Sequence, residues 1–394
     1  MIHSILHNDL YKFSMSNYYI QNFPEASGTF AFHDRDNTVY DDEFVIILKT
    51  AFDNLRKLFL NKNEFDWAVK NIPYIPRFYW EWLNSFRFDP NKINVWLDDD
   101  KHLHIEVTDL MYKVTFYEIP ILALVSECYH KYHSHGYHTW PEVHETMMSK
   151  LDAKIEIAKK HNLFFADFGM RRAYNDLTED FVVEYMKENC PTFVGTSTVY
   201  FAMKHGVKPI GTMAHECFMF QAAIHSPKDA NYMVMENWVK VYDGNLGTVL
   251  TDTYTVDTFL RNFSMKLAKL YDGVRHDSGD PFEFGDKMIA KYKSYGIDPM
   301  SKTIVFSDGL NFEKAAEIKE YFAGKIKTTF GIGTNLTCDL PGIKPMNIVM
   351  KLKECRINDR QPIYGCVKLS DVPGKAIGKS SDINCYKYQL GINN

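Results

Sequence analysis

Lys208-Pro-Ile-Gly-Thr-Met-Ala-His-Glu216 is the stretch on which the fold of this chain turns. Its first half has the texture of a short buried strand, and its second half opens a helix that continues through Phe218 and Met219. His215 and Glu216 therefore fall where strand becomes helix, the place where α/β folds gather their chemistry. A histidine there can act as base, nucleophile or metal ligand, and the helix N-terminus favours an anion brought close to it. Taken alone, the same histidine also suits a purely structural role.

Outward from this stretch, short apolar runs alternate with helical ones from Leu163 onward. The strand candidates are Leu163 to Gly169, Thr192 to Ser197, Lys208 to Thr212, Gly247 to Asp252, Gly273 to Ser278, Thr303 to Asp308 and Thr328 to Gly333. Between them, Met288, Ile289, Tyr292 and Tyr295 form one apolar helical stripe, and Phe312, Ala315, Ala316 and Phe322 form another. Such a string calls for parallel β-α units, with a barrel as the natural closure and an open doubly wound sheet as the alternative.

The chain before Pro120 is mixed. Asn8 to Phe13 leads into a helix, Thr29 to His33 alternates like a half-buried strand, and Phe44, Ile47, Leu48, Ala51, Leu55 and Leu58 predict one amphipathic helix over 41–60. Ile93 to Leu97 and His102 to Val107 are two further strand candidates, so this part reads as α+β. Helices are predicted from Pro120 to Tyr132 and from Pro141 to His161, and the segment after Ile343 is expected to pack back on the first domain.

The chain has 394 residues, enough for a large barrel or two domains. Its 45 Lys and Arg against 50 Asp and Glu argue against a nucleic acid held by bulk charge. Seven cysteines without a C-x-x-C pair suggest neither a disulfide framework nor a zinc ribbon. No signal-peptide pattern and no apolar run of membrane length is present, so the expectation is a cytoplasmic protein without a membrane partner. The histidines between Tyr129 and His138 lack acids or cysteines at ligand spacing, and no direct metal motif emerges. His102-Leu-His104 suggests a barrel metallohydrolase, but it precedes the β-α repeat instead of lying on its first strand.

Polar residues collect at the C-terminal ends of the strand candidates. These are Arg171 and Arg172, Thr196 to Thr198, His215 and Glu216, Asp252, Arg275, Asp277, Ser278 and Asp280, Asp308, and Gly331 to Asn335. Arginines, hydroxyls and glycine turns bind carboxylate or phosphate oxygens, and the acids suit Mg²⁺ or ribose hydroxyls beside them. A phosphorylated sugar answers both halves of that set.

Eight ordered motifs carry a family resemblance: Asp9-Leu-Tyr-Lys, Asp167-Phe-Gly-Met-Arg-Arg, Val194-Gly-Thr-Ser-Thr, Lys208 to Glu216, Arg275-His-Asp-Ser-Gly-Asp-Pro, Phe306-Ser-Asp-Gly-Leu, Phe330-Gly-Ile-Gly-Thr-Asn-Leu and Lys368-Leu-Ser-Asp-Val-Pro-Gly-Lys375. Together the chain resembles a nicotinate phosphoribosyltransferase of the bacterial type. The resemblance implies an irregular type II phosphoribosyltransferase α/β barrel over 121–344, with an α+β domain formed by 1–120 and completed by 345–394. It implies conversion of nicotinate and phosphoribosyl pyrophosphate to nicotinate mononucleotide and pyrophosphate, coupled to ATP hydrolysis as in the ligase class, with Mg²⁺ accompanying the phosphates. A cytoplasmic homodimer with shared active sites is also implied.

The same resemblance assigns His215 as a phosphohistidine, with Glu216 and Asp277 beside it as catalytic groups. It places nicotinate between Phe168 and a partner subunit's copy of Tyr11, with Arg171, Thr196 and Ser197 at its carboxylate. Relatives that use nicotinamide carry an acid where this chain has Ser197, and an acid there would repel nicotinate. For phosphoribosyl pyrophosphate it assigns Arg275, Asp280, Asp308, Gly309, Gly331, Gly333, Thr334 and Asn335. Ser307 departs from the family pattern, which often has glycine there.

Overall fold

The computed structural model describes residues 2–133, 139–372 and 375–392. The centre of the histidine-rich segment (134–138) and Pro373 and Gly374 of the last motif lie outside the described residues. In chain order the strands are β1 (Ser27–Asp34), β2 (Ile93–Leu97), β3 (Leu103–Leu110), β4 (Phe165–Asp167), β5 (Phe193–Thr196), β6 (Lys208–Pro209), β7 (Thr248–Leu250), β8 (Gly273–His276), β9 (Thr303–Phe306), β10 (Lys327–Ile332), β11 (Ile348–Arg356) and β12 (Tyr364–Gly365).

Strands β4 to β10 form one parallel sheet in the order β6-β5-β4-β10-β9-β8-β7. All seven predicted strands are in it, and the two edge strands, β6 and β7, are consecutive in the chain. That order is a barrel with one open seam. The seam follows from the sequence of β6: Ile210 N–H donates to Thr196 O on the β5 side, so the neighbouring Pro209 would present its missing N–H toward β7. A single side-chain bond crosses instead, from Thr212 Oγ1 to Thr248 O at 2.7 Å.

The helix Leu10–Asn22 lies along this seam, with every residue from Leu10 to Tyr19 buried. Ser14 Oγ donates to Thr212 O at 2.5 Å, and Tyr242 OH donates to Ser14 O at 2.5 Å. The N-terminal segment thus satisfies backbone groups that a closed ladder would have paired.

The second sheet is antiparallel, in the order β12-β11-β1-β3-β2. β11, more than 300 positions later in the chain, pairs along the whole length of β1, from Ser27 opposite Arg356 to Asp34 opposite Ile348. Of the H-x-H pair, His102 immediately precedes β3 and His104 lies on it, in this second sheet, where His104 Nε2 lies 2.9 Å from Asp98 Oδ2. They are therefore remote from the barrel strands that a metallohydrolase would use.

Two local expectations need correction. The helix predicted over 41–60 runs only over Asp42–Asp53, capped by Asp41 at Phe44 N–H, and then tightens into a 3₁₀ turn at Asn54–Lys57. The segment after it forms two helices not among the predicted elements, Lys62–Asn71 and Arg77–Ser85. The first has a reciprocal cap between Asn61 and Glu64, and the second buries Tyr79, Trp80 and Leu83. Trp80 packs 5.8 Å from Phe13 and so ties this region to the seam helix. His130, in the helix Glu118–His133, stacks on Tyr174 at 5.1 Å and is held neutral by burial, which lowers its pKa to about 4. It acts as a packing group.

Gly195 tests how tightly the β5–β6 edge is built. It has φ +141°, and a Cβ there would collide with the Lys208 carbonyl of β6. Gly195→Ala is expected to cost about 3 kcal/mol, read as a lower midpoint in urea-induced unfolding.

Candidate active site

A cavity of about 360 Å³ opens at the C-terminal ends of the barrel strands and is roofed by the antiparallel sheet. Tyr11, Phe168, Arg171, Ser197, His215, Glu216, Arg275, Asp277, Gly309, Gly331, Gly333, Thr334 and Asn335 all line it. Thr196 lies behind the wall, where its hydroxyl donates to Asp167 Oδ2 at 2.7 Å and helps set the β4–β5 rim. Asp308 is half-buried nearby, 3.9 Å from Lys375 Nζ. Asp280 is exposed and outside the cavity; its carboxylate caps the helix Pro281–Ser294 through Phe282 and Glu283 N–H.

Tyr11 of this chain lines the cavity. Leu10 N–H donates to Ser197 O, Asp9 bridges Thr198, and Gly211 lies against the Tyr11 backbone too closely for a Cβ to fit comfortably. These contacts lay residues 9–11 on the rim of their own barrel. Ser197 Oγ donates to Asp9 Oδ1 at 2.6 Å, so its proton is engaged and Arg171 is the natural partner for a substrate carboxylate.

His215 opens the helix His215–Ile224, as its position after the buried strand predicts. Its Nδ1 is 3.0 Å from Thr253 Oγ1, and its Nε2 is 3.1 Å from Asp277 Oδ2 and 3.0 Å from Lys368 Nζ. Burial, reinforced by the Lys368 charge, lowers its pKa to about 4, so the ring is neutral near pH 7. Burial alone would raise the Asp277 pKa. Arg275 and the donors around it outweigh that and hold it well below the usual range.

Ser307, the departure from the family pattern, also has a place here. Its hydroxyl lies 2.9 Å from Asp277 Oδ1 and 3.0 Å from His276 O, where it fixes the carboxylate. Elsewhere in the wall, the buried Arg275 Nε and Asn335 Oδ1 have no hydrogen-bond partner among the described residues, and both belong to residues lining the cavity. An unpaired donor and acceptor of this kind suit the oxygens and hydroxyls of a phosphorylated sugar.

Several residues escaped the sequence reading. Lys12 sits beneath the cavity with Nζ 2.6 Å from Glu118 Oε2 and 2.5 Å from Glu216 Oε2, and Thr115 donates to the other Glu216 oxygen at 2.7 Å. Lys351, from β11, adds a cation to the wall, and burial together with Lys368 and Arg171 lowers its pKa to about 8. Lys368 was visible only as part of a motif. Lys12 likewise stood only as the last residue of the Asp9-Leu-Tyr-Lys motif, and nothing local marks Lys351, whose neighbours in the cavity come from remote segments.

Ligand atoms of His215, Asp252 and Asp277 lie within 4.8 Å of one another, and Asp252 Oδ1 has no hydrogen-bond partner among the described residues. The ligand types suit a divalent cation, but Lys368 Nζ already stands 3.0 Å from His215 Nε2 and 3.7 Å from Asp252 Oδ2. Its ammonium supplies the positive charge locally, so this cluster does not fit a resident Mg²⁺ as arranged.

Comparison with known proteins agrees with this geometry. Residues 163–391 match the nicotinate phosphoribosyltransferase (NAPRTase) family, and residues 6–126 match the NAPRTase N-terminal domain. The chain is 40% identical over 393 residues to the nicotinate phosphoribosyltransferase of Chromohalobacter salexigens, covering 100% of this chain and 99% of that protein. It is 38% identical over 405 residues to that of Methanosarcina acetivorans, with 99% and 98% covered. The crystal structure of nicotinate phosphoribosyltransferase from Porphyromonas gingivalis superimposes with a TM-score of 0.96 at 43% identity, covering 100% of both chains. With matches extending over both sheets and the whole cavity, the chain belongs to the nicotinate phosphoribosyltransferase family.

Proposed function

We propose that this chain transfers the phosphoribosyl group of phosphoribosyl pyrophosphate to nicotinate, coupled to ATP hydrolysis through phosphorylation of His215. The observation that carries the proposal is the arrangement of one cavity. The aromatic residues Tyr11 and Phe168 with Arg171 line it together with Arg275, Asp277 and a neutral His215. A flat ring bearing a carboxylate suits the first group, and a sugar bearing phosphates suits the second.

In transfer, the bond from ribose C1 to pyrophosphate breaks as the pyridine nitrogen attacks, so positive charge develops on the sugar and negative charge on the leaving group. Arg275 and Lys351 act by stabilising that departing charge, and Tyr11 and Phe168 hold the base in line. Arg171 selects the carboxylate of nicotinate over the amide of nicotinamide. Mg²⁺ enters with the polyphosphates as part of the substrates. A homodimer with shared active sites belongs to the same proposal. Among the described residues no helix is long and apolar enough to cross a membrane, and a cytoplasmic setting is part of the same proposal.

In the coupling step the neutral imidazole is a competent nucleophile toward the γ-phosphoryl group. His215→Ala is expected to abolish ATP hydrolysis and ATP stimulation while slow phosphoribosyl transfer persists. Acid-labile, base-stable label from γ-labelled ATP would mark His215 in the unsubstituted enzyme. A variant that hydrolyses ATP normally would rule the assignment out. Competition between nicotinate and nicotinamide tests the base.

Lys351 makes a second expectation. Its folded pKa of about 8 is lower than that of a free lysine, so the charge is present below that value and lost as pH rises through it. Binding of pyrophosphate, measured by titration calorimetry, should weaken about fivefold between about pH 7 and about pH 9. Lys351→Met should remove most of that dependence.

A further inference from the structure

The C-terminal segment enters the barrel mouth as a strap. Lys368 N–H donates to Ile377 O at 2.9 Å, and Ile377 N–H donates back to Lys368 O at 2.8 Å. Leu369 N–H donates to Thr253 O at 2.9 Å, beside the hydroxyl that touches His215 Nδ1. On the preceding side, Tyr254 OH donates to Val367 O at 3.1 Å. Lys368 is thus gripped on both sides, and its Nζ reaches 3.0 Å from His215 Nε2 with only 7% of the residue exposed.

Two neighbours compete for that ring nitrogen. A neutral imidazole carries one proton, and its Nε2 can either donate to Asp277 Oδ2 at 3.1 Å or accept from Lys368 at 3.0 Å, but it cannot do both. If Nε2 carried the proton, an ammonium would face an N–H with no lone pair. If Nδ1 carries it, Nδ1–H donates to Thr253 Oγ1, the Nε2 lone pair accepts from Lys368, and Asp277 retains Ser307 and the nearby Arg275 guanidinium. The second arrangement gives Lys368 and Thr253 a partner each, and leaves Asp277 Oδ2 to the Lys368 and Arg275 charges in place of the ring proton. It also leaves Nε2, the nitrogen facing the cavity carboxylate, free of its proton.

We infer that Lys368 is a positioning residue for the phosphoryl-accepting histidine: it keeps the His215 proton on Nδ1 and then neutralises the phosphoryl group arriving at Nε2. The inference rests on the phosphohistidine mechanism proposed above. The bond from Nε2 to the γ-phosphorus forms while the bond from that phosphorus to the β,γ-bridging oxygen breaks, and its electron pair leaves with ADP. The Nδ1 proton stays on the ring against Thr253, so the product is a phosphoimidazolium. The ammonium moves from the Nε2 lone pair, now used in bonding, to the transferred phosphoryl oxygens. Asp252, 3.7 Å from the same Nζ, holds the ammonium in place through both states.

The test uses the full chain and two readouts. Nitrogen NMR of the ring of His215 is expected to show protonated Nδ1 and bare Nε2 in the unsubstituted protein, and a shift of the proton toward Nε2 in Lys368→Met. Label transfer from γ-labelled ATP to His215 is expected to slow about 100-fold in Lys368→Met and to recover substantially in Lys368→Arg, with thermal unfolding confirming that both variants fold. A protonated Nε2 in the unsubstituted protein, or labelling at the normal rate in Lys368→Met, overturns the inference while leaving phosphohistidine chemistry standing. An unsubstituted protein that takes up no label overturns the phosphohistidine mechanism and the neutralising role with it, and the tautomer then decides the positioning role alone.

Discussion

The buried ion triad of Lys12, Glu118 and Glu216 is the interaction on which the rest of the structure depends. Lys12 has no exposed surface, and its ammonium lies within 2.6 Å of both carboxylates. The three residues come from the seam helix, the helix that leads from the antiparallel sheet into the barrel, and the helix that begins with His215. Each charge is too costly to bury alone, and removing one partner from such a pair typically costs about 3 to 5 kcal/mol. The three helices must therefore meet at one point.

That meeting point has consequences on both sides of the cavity. Glu216 follows His215 directly, so fixing its carboxylate fixes the first turn of the helix and with it the imidazole. Glu118 lies 3.9 Å from Arg171, so the same lysine helps place that guanidinium on the cavity wall. Seating Lys12 also brings Tyr11 to the rim. The open barrel seam makes this feasible: a closed ladder between β6 and β7 would leave no unpaired carbonyl at Thr212 for the helix to bind. The interruption at Pro209 is thus part of how the active site is assembled.

The barrel could be traced along the chain because its signals are local. Each strand is a short apolar run followed by a polar residue at its C-terminal end, and each following helix carries its own stripe, as in Met288, Ile289 and Tyr292. The helices Lys62–Asn71 and Arg77–Ser85 are not among the predicted elements, although Tyr79, Trp80 and Leu83 lie on one helical face; what that face packs on, such as Phe13 for Trp80, is set by remote segments. Among the site residues, Asp280 has a local explanation as a helix cap, and sequence proximity to Asp277 could not distinguish that role from ligand binding. Ser307 was visible as a departure, but its bond to Asp277 depends on two neighbouring strands being parallel and in register.

The sequence by itself determined the seven β-α units, the placement of His215 at a strand-to-helix junction and the collection of polar groups at the strand ends, because periodicity and motif order are properties of neighbouring residues. Tertiary structure alone decided that Tyr11 and Phe168 line one cavity, that Lys12 joins two acids more than a hundred positions away, and that Lys368 meets His215 Nε2. Those outcomes depend on which remote groups share a buried, weakly screening environment, where an unpaired charge is not tolerated, and no local pattern encodes that pairing.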